Sequence, residues 1–168
     1  MFARPCNEHD VPYFSCRGYT SQSEMWGASQ RLQRYMDAGQ TPIILHFGDH
    51  DPSGIDMTRD IIDRMRLFIG HVKIDRLALN MDQVEEHQPP PNPAKLSDSR
   101  CEKYIEVYGD ESWELDALDP TTLAGLVNTA IEGLIDKREW AKAVAIEEEH
   151  RRKLAVVAGQ WDKLTRRL

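Results

Sequence analysis

No stretch of this 168-residue chain approaches the ~20 consecutive apolar residues that a membrane-spanning helix needs. The first residues also lack the apolar centre of a secretory signal, so the chain is expected to be cytoplasmic with no membrane partner. Cysteine is scarce. Cys6, Cys16 and Cys101 are odd in number and widely spaced, which excludes a disulfide framework and a zinc-ligand pattern. They are expected as reduced thiols, Cys16 buried on a strand. Positive charge is in deficit: 21 Lys and Arg against 28 Asp and Glu leave a net charge of −7. A broad electrostatic grip on nucleic acid needs clustered Lys and Arg, and this balance argues against it. It does not exclude a metal ion bridging carboxylates to a phosphate.

The chain is long enough for one sizeable core, with 40% apolar and 29% charged residues. It is organised around Thr41-Pro42-Ile43-Ile44-Leu45-His46-Phe47-Gly48-Asp49-His50-Asp51-Pro52-Ser53-Gly54. An unalternated apolar run of strand length bounded by turn residues reads as a strand buried on both faces. A helical pattern follows at Ile55, Thr58, Ile62, Met65 and Ile69, ending at Gly70. In open parallel sheets, ligands gather outside the carboxyl ends of the strands. Asp49 and Asp51, at i and i+2, share one side of an extended backbone. Two hard anionic oxygens suit Mg²⁺, which takes one or two protein carboxylates and keeps water for the rest; Mn²⁺ is the alternative. The plain reading makes Asp51 an N-cap, with Pro52 at the first helical position and Ser53 with Asp56 as a second, weaker cap. Capping leaves Asp49 unexplained. His50 is assigned no role.

Around this centre, Met1 to Asp10 shows no complete element and Val11 to Cys16 reads as a strand. Ser21-Gln22-Ser23-Glu24 matches a capping box, opening a helix with Met25, Ala28, Ser29, Leu32 and Met36 on one face and Gly39 at its end. Val72 to Leu79 is a further strand. The order strand, helix, strand, helix, strand predicts a parallel sheet with Arg17, Asp49, Asp51 and Asn80 at one rim. Gln88 to Pro93 is an extended, polyproline-like connection; Lys95, Asp98 and Arg100 lie just beyond it, and each taken singly reads as part of a solvated loop. Glu102 to Gly109 reads as a short helix. Asp119-Pro120 starts another, with Leu123, Leu126, Val127, Ala130, Ile131 and Leu134 on its stripe. Asp136 to Leu168 reads as one long helix. Its spacing at Leu154, Val157, Trp161, Leu164 and Leu168 is that of a coiled-coil seam, packing on the domain or on a partner helix. The runs Glu147-Glu148-Glu149 and Arg151-Arg152-Lys153 read as a solvated face.

Gly48-Asp49-His50-Asp51-Pro52-Ser53-Gly54 resembles the Toprim domain, the metal-binding module of topoisomerases, primases and some nucleases. The likeness is nearest to the A subunit of type IIB topoisomerases, the related meiotic double-strand-break enzyme, and phage or prophage Toprim proteins. Val11 to Ser23 is similar to the second strand and Gly-Tyr turn, and Pro89 to Arg100 to the proline-rich loop. Trp113-Glu114-Leu115-Asp116-Ala117-Leu118 resembles a Glu-containing stretch late in the topoisomerase module. The resemblance covers roughly Val11 to Leu134.

It implies an α/β fold, a Toprim-like (Rossmann-like) mostly parallel sheet flanked by helices, over residues 1–134, with a C-terminal helix over 135–168. It also implies Mg²⁺ at Asp49 and Asp51, where it assists breakage or joining of phosphodiester bonds. DNA would be contacted by Arg17, Lys95 and Arg100. The family's first-strand glutamate has no match in the residues before Val11, so the module is expected to be N-terminally incomplete, catalytically weak, and no whole topoisomerase. A non-catalytic metal or nucleic-acid module working through a partner chain is the second reading, and the last helix suggests a homodimer. A haloacid-dehalogenase-type phosphatase, with Asp49 as nucleophile, would need a downstream lysine and a further acidic pair. After Leu79 the chain offers only Met81-Asp82 and then prolines.

Overall fold

Ile43–Phe47 forms β1 and Lys73–Ala78 forms β2, joined by helix α3 over Pro52–Ile69. The strands pair in parallel, with Ile44 beside Ile74 and His46 beside Arg76; the register then slips, so that Phe47 lies beside Ala78. The computed structural model describes residues 2–15 and 18–161. It shows a mixed α/β chain, mostly helical, with this pair as its parallel sheet. Two compact units divide it, Met1–Thr129 and Ala130–Leu168.

In the first unit, helices cover both faces of the sheet. Helix α2, Gln22–Asp37, starts where Ser21 accepts the Glu24 N–H at 3.2 Å, and Gly39 follows its end at φ +79°, a left-handed conformation that costs glycine little. Its expected apolar face is the one it buries. Met25 and Ala28 pack with Ile61 and Met65 of α3, against Ile44 and Ile74 of the sheet. On the other face Ala78, Leu79, Trp113, Leu118 and Leu123 form a second core. It includes Val84 of α4, Met81–His87, while Leu123 belongs to α6, Pro120–Leu134. A fully buried leucine such as Leu79 or Leu123 contributes about 1.5–3 kcal/mol.

Two expectations need correction. Val11–Ser15 is not a strand: its backbone pairs with nothing in β1 or β2, and Tyr13 and Phe14 stay exposed. Strand-like composition needs a neighbour to become a ladder. The N-terminal residues do form an element, the short helix α1 over Ala3–Glu8. It is held by packing: Pro5 and Cys6 are buried, and the rings of Phe2 and Phe47 stack at 4.6 Å. Pro5 sits in the first turn, where its missing N–H is not needed.

Beyond α4, the proline-rich connection ends in β3, Asn92–Pro93, which pairs antiparallel with β4, Glu111–Ser112. Helix α5, Cys101–Tyr108, lies between them and closes a third cluster of Ala94, Cys101 and Tyr104. Leu115–Ala117 makes a single 3₁₀ turn. Cys6 and Cys101 are buried free thiols; Cys16 lies outside the described residues. In the second unit, α7 runs from Lys137 to Gly159, with Asp136 accepting the N–H of Arg138 and Glu139 as its cap. Every residue of α7 is exposed. Leu164 and Leu168, the last members of the expected seam, lie outside the described residues.

Candidate functional site

The backbone leaves β1 extended. His50 pairs with Trp113 in an antiparallel bridge, its N–H donating to the Trp113 carbonyl at 2.8 Å and receiving the reverse bond at 2.9 Å. Side chains alternate about such a bridge. His50 turns inward, 2% exposed, among the rings of Tyr104, Tyr108 and Trp113. Its Nδ1 lies 2.7 Å from the Tyr104 hydroxyl, which donates to the His50 carbonyl at 2.8 Å. Burial, then the charge of Arg76, lowers the His50 pKa. This histidine is a neutral core residue.

Its neighbours Asp49 and Asp51 are therefore on the opposite side, both half-buried. Each carboxylate spends one oxygen on the backbone. Asp51 Oδ1 accepts the Gly54 N–H at 2.6 Å and caps α3, so the capping reading is correct for this residue. Ser53 does not cap; it donates to Asp98 at 2.7 Å. Asp49 Oδ1 accepts the Leu115 N–H at 2.8 Å. Among the described residues, neither Oδ2 has a hydrogen-bond donor and neither aspartate forms an ion pair.

The same bridge carries a third carboxylate to the rim. With His50 opposite Trp113, Asp49 and Glu114 become cross-strand neighbours on the outer side. Burial raises the Glu114 pKa first, and the charges of Asp49 and Asp51 raise it further, while Lys95 pulls it down. Like charges placed opposite one another are unfavourable, yet the fold holds these together. Among the described residues, however, no three His, Cys, Asp or Glu side chains close around a single metal position. What the two aspartates offer is one uncommitted oxygen each, the donor number of a cation that keeps water for its remaining positions.

Arg76, on β2, builds the floor. Its guanidinium donates to the Gly48, Asp49 and Leu79 carbonyls at 2.9, 2.7 and 3.1 Å. It also reaches the Gly54 carbonyl at 3.0 Å and Thr58 Oγ1 at 2.7 Å. One side chain thereby ties the end of β1, the end of β2 and the first turn of α3. His46 adds to this from below, its Nδ1 3.0 Å from Thr58 Oγ1. Burial, reinforced by Arg76, brings its pKa down to about 4.

Of the residues expected at the rim, Asp49 and Asp51 flank the inward-turned His50, and the charges of both act on Glu114. Lys95 is exposed beside Glu114, whose pKa its charge lowers. Arg100 is engaged elsewhere: it grips both oxygens of Asp98 at 2.7 and 3.0 Å, meets Asp56 at 3.2 Å, and lies over the Tyr19 ring. Arg17 lies outside the described residues. Sequence reasoning gave no part to Arg76 or Glu114. An arginine inside a strand otherwise reads as an outward-facing charge, whereas Glu114 sits in a stretch already singled out by its resemblance. Compared with known protein families, curated proteins and solved structures, the chain matches none.

Proposed function

We propose that this is a Mg²⁺-binding protein of Toprim type that acts on nucleic-acid phosphodiester bonds, with Asp49 and Asp51 as ligands. One observation carries the reading. Two carboxylates, at i and i+2 on the chain, are each anchored by a backbone N–H through one oxygen, leaving the other oxygen of each without a partner among the described residues. The parallel β1–α3–β2 unit supports it as well, because the pair stands at the carboxyl end of a strand, where such sheets place ligands.

A bound cation would neutralise charge developing on a phosphate. The chain's own part is to hold the two carboxylates in place and to offer Glu114 beside them as a proton-carrying group. Its raised pKa suits that role. Lys95, exposed on the same rim, would meet the phosphate backbone.

Titration calorimetry with Mg²⁺ and Mn²⁺ tests the reading. Wild-type protein is expected to bind at millimolar concentration or below, and Asp49→Asn and Asp51→Asn to lose binding. Asparagine keeps both backbone hydrogen bonds, since its carbonyl oxygen caps as well as a carboxylate does. Loss of binding would then report the charge and not the fold. Asp51→Ala should cost about 1 kcal/mol of stability in addition. Absence of divalent binding at millimolar levels ends the proposal. Should binding be present without any Asp51-dependent cleavage of DNA, the non-catalytic reading takes its place.

A further inference from the structure

Helix α7 carries a stripe whose chemistry reads alike from either end. At steps of four, three, four, three and four stand Trp140, Val144, Glu147, Arg151, Leu154 and Ala158. At 3.6 residues per turn these six fall within an arc of about 80°. Two apolar residues lie at each end, with an acid and a base in the middle. All six are exposed, Trp140 at 44% and Leu154 at 67%. Large apolar side chains lined up on one side of a solvated helix are an unfavourable arrangement unless something covers them.

We infer that a second copy of this chain covers them, with the two α7 helices antiparallel about the midpoint between Glu147 and Arg151. In that orientation Trp140 lies opposite Ala158, Val144 opposite Leu154, and Glu147 opposite Arg151. The two-fold axis repeats every pair. Large meets small at the ends, and opposite charges meet at the centre. A parallel pair would set Glu147 against Glu147 and Arg151 against Arg151, so charge excludes it. Within one helix Arg151 Nη2 already holds Glu147 Oε1 at 2.7 Å. The guanidinium has five N–H donors and serves both carboxylates. The Glu149–Lys153 pair lies on the opposite face of the helix and takes no part. This surface involves α7 alone and is independent of the metal reading.

Sedimentation equilibrium of the full chain, combined with cysteine cross-linking read by mass spectrometry of the joined peptides, tests the inference. A reversible monomer–dimer equilibrium is expected. Leu154→Asp should abolish the dimer, as should Glu147→Arg, which sets arginine against arginine. The double swap Glu147→Arg/Arg151→Glu should restore it. Val144→Cys chains should cross-link to Leu154→Cys chains and not to one another. These positions are exposed in the single chain, and unchanged helicity by circular dichroism confirms that the variants fold. A chain that stays monomeric into the high micromolar range overturns the inference. So does a dimer indifferent to Leu154→Asp and Glu147→Arg, or Val144→Cys chains that link to each other.

Discussion

Gly54 lies directly against the backbone of Asp49: a β-carbon on Gly54 would stand 2.1 Å from the Asp49 carbonyl oxygen and 2.9 Å from its carbonyl carbon. Nothing flexible stands in the way, so backbone itself would have to move. Gly54→Ala should therefore destabilise the protein by about 2 kcal/mol or more, as overpacking does, and weaken divalent binding by displacing Asp49. Urea denaturation and calorimetry on the same variant would check both. A stable Gly54→Ala protein with unaltered metal affinity would mean that the two segments are not in contact.

Arg76 is predicted to matter as much for stability as for the site. Removing its side chain in Arg76→Met leaves the Asp49 and Leu79 carbonyls without this donor, at a cost on the order of 3 kcal/mol. Arg76→Lys should recover only part of that. A lysine keeps the charge but not the planar fork that spans several acceptors. Denaturant midpoints of the two variants, compared with wild type, decide the ranking.

His46 makes stability depend on pH. Its pKa is near 4 in the folded protein, against 6.5 for a free histidine. The unfolded chain takes up the proton first. Stability is therefore whole above about 6.5 and is lost as pH falls toward about 4. For this shift the loss is on the order of 3 kcal/mol. His46→Gln should flatten that part of the stability profile while lowering the plateau, because the contact with Thr58 is altered.

Glu114 acts with the opposite sign. Its folded pKa is raised, so the folded state holds the proton more tightly. Its contribution is full below the ordinary glutamate range and is lost as pH climbs through the raised value. Glu114→Gln should gain stability relative to wild type across that window and hold a constant difference above it. Saturating Mg²⁺ should narrow the difference, since a cation beside Asp49 and Asp51 favours the charged glutamate. Denaturation at stepped pH, with and without Mg²⁺, would show whether it does.

Much of the local structure was legible from residue order. Ser21, Asp51-Pro52 and Asp119-Pro120 each mark a helix start, and the apolar spacing at Met25, Ala28 and Ser29 names the buried face of α2. These signals are short-range: a cap needs three residues and a helical stripe needs a few turns. The β1–α3–β2 unit was legible for the same reason. Val11–Ser15 misled because strand propensity describes a side chain's fit to a sheet, not whether a sheet is there to receive it.

By itself, then, the amino-acid sequence determined where α2, α3 and α6 begin, which face α2 buries, and that two aspartates follow the central strand; α1 and α4 were not legible in it. Tertiary structure alone decided what surrounds those aspartates. The His50–Trp113 bridge joins residues 63 positions apart, and through it Glu114 and the Leu115 N–H arrive beside Asp49. Arg76 was likewise assigned by the fold, because the end of β2 and the first turn of α3 had to meet before its guanidinium had carbonyls to bind. Contacts of that range depend on packing between elements, and no local spacing encodes them.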